Sequence, residues 1–277
     1  MIQQALTMHW HGFHMKETPW MDGVATITQC PISPGSSFVY RFIASPQGTL
    51  WYHAHLGGLR ADGAFGLFIV HKTQPEMIHY PLIAQHWLHI PFDEFMATNP
   101  YKKKLYGDIA GDGSHQHQHL EKVHEPSWKA GDGVPLTSMI HVSDLINGRG
   151  QFNDNNAPLA WFNVSHSSEV GFHILNPGVE YSYNISIDQH TMTIIGLGIG
   201  EVEPMAVDAI YLNPGERVHV KIQLKDNQTN QNYWIRAKTL ANKSEVKAVL
   251  HYPGVFEEPE SHPRSCTEQS PCSYYNW

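Results

Sequence analysis

Two pairs of histidines, in His9-Trp10-His11-Gly12 and Trp51-Tyr52-His53-Ala54-His55, each read His-x-His. On a β-strand, residues i and i+2 point to the same face, so each pair aims two imidazoles at one spot. Imidazole is a good ligand for copper and zinc. Spacing alone is weak evidence here: with 20 His in 277 residues, about 1.4 such pairs are expected by chance, and composition has to be weighed first. The flanks lift the signal. Trp10 and Gly12 flank one pair, and the aromatic doublet Trp51-Tyr52 precedes the other.

HWHG followed about forty residues later by WYHAH resembles the first cupredoxin domain of a multicopper oxidase of the laccase type. The residues between agree with that family: Asp22-Gly23-Val24, Thr28-Gln29-Cys30-Pro31-Ile32, Pro34-Gly35, Phe38-Val39-Tyr40 and Gly48-Thr49-Leu50-Trp51. Asp62-Gly63 and Gly66-Leu67-Phe68-Ile69-Val70 follow in the family's order. Downstream, Asp144-Leu145-Ile146-Asn147-Gly148-Arg149-Gly150 is similar to the strand that opens the second laccase domain. Ser186-Ile187-Asp188-Gln189-His190-Thr191-Met192-Thr193-Ile194, Val202-Glu203-Pro204 and Leu212-Asn213-Pro214-Gly215-Glu216-Arg217-Val218 also match. One departure stands out: Gly196-Leu197-Gly198-Ile199-Gly200 occupies the place where the family has Ala-Asp-Gly before its Val-Glu-Pro.

The resemblance implies a copper cofactor, with O₂ and a small-molecule reductant (a phenol, aromatic amine or metal ion) as partners in the four-electron reduction of O₂ to water. It implies His9 as the type 2 copper ligand, His11 and His53 on one type 3 copper, and His55 on the other. It also implies Asp22 as an acidic group near the cluster and a candidate catalytic proton donor. The plain alternative for Asp22 is a turn residue before Gly23. By the same resemblance, Cys30 is expected to bridge to Cys266 or Cys272. A complete laccase has a third domain, with four more cluster histidines and a Cys-His stretch for the blue type 1 copper. This sequence has no His-Cys-His, and a blue site needs a thiolate with two imidazoles. The chain is therefore expected to contribute half of a cluster that a missing third domain or another chain completes. The alternative is an extracellular copper-binding or structural matrix protein without turnover.

Composition bounds the rest. A length of 277 residues suits about two domains with a sizeable core. A net charge of −8 argues against nucleic acid as a partner. No run of about 18 apolar residues marks a membrane span, and no signal peptide is visible at Met1. Sequons at Asn163, Asn184, Asn227 and Asn242, with two cysteines in the polar tail, favour a secreted, glycosylated protein.

The supporting elements read as all-β. Ser37–Phe42, Tyr181–Ile187 and Arg217–Gln223 alternate with period 2, and Pro34-Gly35, Pro177-Gly178, Pro214-Gly215 and Pro253-Gly254 punctuate the chain. No stretch of helical period stands out. The pattern predicts β-sandwiches, and the resemblance narrows these to two cupredoxin-like Greek-key domains. The expected division is residues 1–75, residues 76–253, and a Cys-containing tail or linker at 254–277. The His115–His119 run reads as a solvated loop with some capacity for metal. His86, His89 and His190 read as structural.

Overall fold

A computed structural model of the chain describes residues 3–72, 77–98, 142–164, 168–225, 230–239, 244–267 and 270–275. The His115–His119 run lies outside the described residues, as do Asn227 and Asn242.

The N-terminal part builds a three-stranded antiparallel sheet from β1 (Met8–His11), β2 (Gly48–Ala54) and β3 (Phe65–Val70), in the order β1-β2-β3. Alternation splits its residues between two faces. Trp10, Leu50 and Phe68 turn one way and pack with Phe13, Met15 and Phe42 in a small aromatic core. His9, His11, Thr49, Trp51 and His53 turn the other way.

The rest of the described chain forms a sandwich. After β4 (Ile78–Trp87) come one short helix, α1 (Phe92–Thr98), and the strands β5 (Ser143–Ile146), β6 (Ala160–Asn163) and β7 (Glu169–Leu175). Next are β8 (Tyr183–Ile187), β9 (Met192–Leu197), β10 (Gly200–Val207), β11 (Ala209–Leu212) and β12 (Arg217–Gln223). The series ends with β13 (Tyr233–Thr239), β14 (Glu245–His251) and β15 (Tyr274–Tyr275). One sheet runs β10-β9-β12-β7-β4-β5 and the other β15-β11-β8-β13-β14-β6. Leu82, Phe172, Ile174, Val218 and Val220 from the first meet Ile185, Ile210, Ile235, Ala237 and Leu250 from the second, all buried. Each strand alternates core-facing and outward residues, the pattern that packs two sheets face to face.

Three expectations are corrected. Ser37–Phe42 is in no hydrogen-bonded strand. Its alternation is real, since Phe38, Tyr40 and Phe42 stack toward Trp10 while Val39 is 72% and Ile43 77% exposed. Among the described residues no neighbouring strand pairs with it, and a ladder needs a partner. Second, α1 was not visible as a helical period because seven residues make only two turns. It is positioned from outside, by the Asp62 carboxylate accepting from Phe92 N–H at 2.8 Å. Third, Cys30 does not bridge to the tail. Cys266 and Cys272 pair with each other across a Cα separation of 5.2 Å, and Cys30 is free and exposed. The two lie within bridging distance because Asp208 gathers both ends of their loop, accepting from Arg264 at 2.6 Å and from Ser273 N–H at 2.9 Å.

The Ser-Ile-Asp-Gln-His segment is a structural node. Buried Asp188 accepts two bonds from Arg236 at 2.9 Å each and a third from Ser261. Arg236 also reaches Glu245 at 2.8 Å, but losing Asp188 removes its two most buried charge-assisted bonds, and breaking a buried pair is strongly destabilising. Asp188→Ala is expected to cost about 3–5 kcal/mol, read as a fall in the urea midpoint at constant slope.

His190 next to it is also buried. Its Nδ1 donates to the Asp188 carbonyl at 2.8 Å, so Nε2 must accept from the Tyr252 hydroxyl at 2.9 Å. Burial pushes its pKa down to about 4. A depressed histidine binds its proton more readily unfolded than folded. The native state therefore loses stability as pH falls from about 6.5 to about 4, by roughly 1.4 kcal/mol per pH unit. His190→Gln should flatten that part of the stability–pH curve, measured as urea midpoints between pH 7 and 4.

Candidate metal centre

The metal face rests on one register. In the antiparallel β1–β2 pair, His9 stands opposite His53 and His11 opposite Trp51. Directly opposed residues share a face, so three imidazoles and an indole form one patch. His55 follows β2, its N–H donating to the Thr7 carbonyl at 2.9 Å. The ring of His9 lies 5.5 Å from His11, 5.3 Å from His53 and 5.3 Å from His55, while His53 and His55 stack at 5.6 Å. His9, His11 and His53 each bring a ring nitrogen within 4.8 Å of the others. The structure thus gathers all four sequence-predicted imidazoles.

Hydrogen bonds fix which nitrogen faces the cluster. His9 Nδ1 donates to the Asp22 carbonyl at 2.8 Å, and His53 Nδ1 donates to the Ala54 carbonyl at 3.0 Å. Since Nδ1 carries the proton in each, Nε2 keeps the lone pair a metal needs. Burial, with the Arg217 guanidinium as the next cause, pushes His11 down to about 3. Burial likewise pushes His53 down to about 4. Both rings are therefore neutral at physiological pH.

Asp22 closes the short 3-10 turn Pro19–Met21. Its carboxylate comes within 3.4 Å of His9 Nδ1, but the stronger contact is its backbone carbonyl. Gly23 is what allows this approach. It has φ +79°, and a Cβ there would sit 1.8 Å from the Met8 carbonyl oxygen.

Three more groups complete this face: Trp51 and Arg217 appear in the sequence only as members of motifs, and Arg60 carries no signal there, because their places at the face come from the fold. Trp51, fully buried, is the floor beneath His11 and His53 at ring distances of 5.0 and 4.3 Å. Arg60 lies over Trp51 at 4.8 Å and donates to the Pro177 and Gly178 carbonyls. Arg217 donates to the Thr49 carbonyl at 3.1 Å. A second histidine group, His79, His173 and His219, also comes together. Its members lie on three strands far apart in sequence, so only strand register could reveal it. His86 and His89 are tied into hydrogen bonds with Val142 and Ser143.

Asp22→Asn should leave metal uptake unchanged, since the bond to His9 comes from the backbone. Gly23→Ala should lower stability by about 1–3 kcal/mol through strain at a left-handed position and weaken metal uptake, because the turn must withdraw from His9. Thermal melts and copper titration of the two variants check both outcomes.

Comparison with known proteins agrees with this architecture. The multicopper oxidase family matches over residues 1–75 and again over residues 114–254. Laccase-1 of Fomitopsis schrenkii is 34% identical over 277 residues, covering 96% of this chain and 44% of its own length. A laccase of Trametes maxima is 32% identical, covering 83% of this chain and 40% of itself. The chain therefore spans less than half the length of these relatives. Among solved structures, the laccase of Botrytis aclada superposes with a TM-score of 0.72 at 21% identity, over 96% of this chain and 46% of its own. The blue copper oxidase of Nitrosomonas europaea does so at 0.63 and 19% identity, over 99% and 84%; at these identities the likeness concerns the fold. With the paired His-x-His strands and the cupredoxin-like sandwich, these matches place the chain in the multicopper oxidase family.

Proposed function

We propose that this chain supplies one half of a type 2/type 3 copper cluster in a laccase-like oxidase. Such an enzyme takes electrons from phenols, aromatic amines or metal ions and reduces O₂ to water. The observation that carries this is the convergence of His9, His11, His53 and His55, with the lone pairs of His9 and His53 freed by their Nδ1 hydrogen bonds. The donor set fits copper: neutral imidazoles suit both Cu(I) and Cu(II).

In this proposal His9 holds the type 2 ion, His11 and His53 share one type 3 ion, and His55 binds the other. Bound copper supplies one-electron steps between reductant and O₂. The chain's own residues do the rest. The Asp22 carbonyl and the Ala54 carbonyl orient two of the imidazoles. Trp51 keeps water from the inner side of the cluster. Asp22 is proposed, from the family resemblance, to hold a proton for reduced oxygen; its carboxylate lies 3.4 Å from His9 Nδ1, the ring nitrogen turned away from the metal. A secreted location is part of the same proposal, supported by the Cys266–Cys272 disulfide, which suits an oxidising compartment, and by the exposed asparagine, Asn163, of a sequon. Among the described residues no helix is long and apolar enough to cross a membrane.

The chain tested alone should bind copper without an intense blue absorption. Its only thiol is Cys30, exposed on a loop, and the other two cysteines are oxidised, so a thiolate with two imidazoles is not to hand. Cu(II) titration followed by absorption and by copper analysis should show uptake. His11→Ala with His53→Ala should abolish most of it. Unchanged uptake in that double variant would remove the basis of the proposal.

A further inference from the structure

The outer face of the sheet β10-β9-β12-β7-β4-β5, where the first sheet lies against it, carries a second set of imidazoles. His173 and His219 are direct cross-strand partners, stacked with ring centroids 4.1 Å apart. His79, on β4, lies 5.1 Å from His173 and 5.0 Å from His219. His71 stands beside them, 5.9 Å from His79 and 6.1 Å from His173. Beside the group is a cavity of about 130 Å³, lined by Thr49, His71, His173, Gly198 and His219 among others.

From this geometry we infer that His79, His173 and His219 form a second metal site, for a divalent late first-row ion such as Zn(II) or Cu(II), distinct from the four-histidine face. Four observations support it. First, His173 is only 3% exposed, yet its Nε2 is buried and has no hydrogen-bond partner among the described residues. Its Nδ1 is engaged with the Thr49 hydroxyl at 2.7 Å. A ring tied through one nitrogen with the other left free is how histidine ligands are held. Second, one nitrogen from each of the three rings lies within 4.8 Å of the others. His219 Nε2 and His79 Nδ1 share a hydrogen bond at 3.1 Å; a metal would replace its proton, and the spacing is close to the roughly 3.3 Å that separates two nitrogens on one tetrahedral zinc.

Third, a glycine makes room for one ring: His79 stands opposite Gly171, where a Cβ would meet its Nδ1 at 2.4 Å. Fourth, the Gly196–Gly200 stretch, where the sequence departs from the laccase pattern, lines this same cavity. The site is separate from the first face. Thr49, which bonds His173, and His53 lie four residues apart on β2, about 13 Å of strand. Nitrogen donors with few oxygens around them suit zinc and copper over calcium or magnesium.

The test uses the full chain and Zn(II). Equilibrium dialysis on the unaltered chain should show one equivalent more than on a His79→Ala/His219→Ala variant. His219→Gln alone should weaken that equivalent by at least about tenfold. The His11→Ala/His53→Ala variant should retain it, which separates this site from the proposed copper face. Equal stoichiometry in the unaltered chain and the His79→Ala/His219→Ala variant would overturn the inference. Should the variants fail to fold, the unaltered chain decides: crystals soaked in Zn(II) must show an anomalous peak at the zinc edge between the three rings, and saturated crystals without that peak would refute the site.

Discussion

The antiparallel pairing of β1 with β2 is the constraint on which the metal face depends. Because His9 is set opposite His53, every odd-numbered residue from His9 to His11 and from Thr49 to His53 shares one face. A slip of one residue would send the imidazoles into the aromatic core and bring Trp10 and Tyr52 out. The aromatic core prevents that slip. Trp10 packs against Tyr40, Phe42, Tyr52 and Phe68, a set of contacts that exists in only one register. The ligand face is thus held from behind by hydrophobic packing, and the imidazoles themselves carry little of the work.

Burial then sets the chemistry. A histidine at the surface divides its time between protonated and neutral forms near pH 6.5. The rings of His11, His53, His173 and His219 are all pushed well below that, with desolvation as the leading cause. Their lone pairs stay available while the native packing holds. The cost falls on stability under acid, since an unfolded chain would protonate each of them.

What could be read from the sequence was local. The His-x-His pairs needed only the period of a strand, and β8 and β12 followed from alternation and from their Pro-Gly boundaries. What could not be read was pairing. Ser37–Phe42 alternates as a strand does but has no ladder, because alternation reports which side is buried and not whether a neighbour exists. The cysteine partners depended on how Asp208 draws Arg264 and Ser273 together. The three histidines on β4, β7 and β12 became a group only when the register His173–His219 was known. Arg217 was noticed as part of a motif, yet its place between Thr49 and Gly198 is a property of the folded pair of units.

Those crossing contacts also decide what each histidine cluster can do to the molecule. His9, His11, His53 and His55 all belong to the first sheet and its flank, and His79, His173 and His219 all belong to the sandwich. Neither set spans the junction by itself. The junction is made by backbone and side-chain bonds: Thr49 N–H to the Gly198 carbonyl at 2.8 Å, Arg60 to the Pro177 and Gly178 carbonyls, Arg217 to the Thr49 carbonyl, and Thr49 to His173. Gly48 permits the approach, since a Cβ there would lie 2.6 Å from the Gly198 carbonyl. An ion on the first face would therefore stiffen β1 against β2 without docking the two units. An ion among the second three would act at the junction through Thr49, whose hydroxyl holds His173 and whose carbonyl holds Arg217, the cation with the larger effect on His11. Thr49 and His71 are thus where the first unit meets the second cluster, Thr49 through its hydrogen bond to His173 at the start of β2 and His71 through ring contacts with His79 and His173 just past β3.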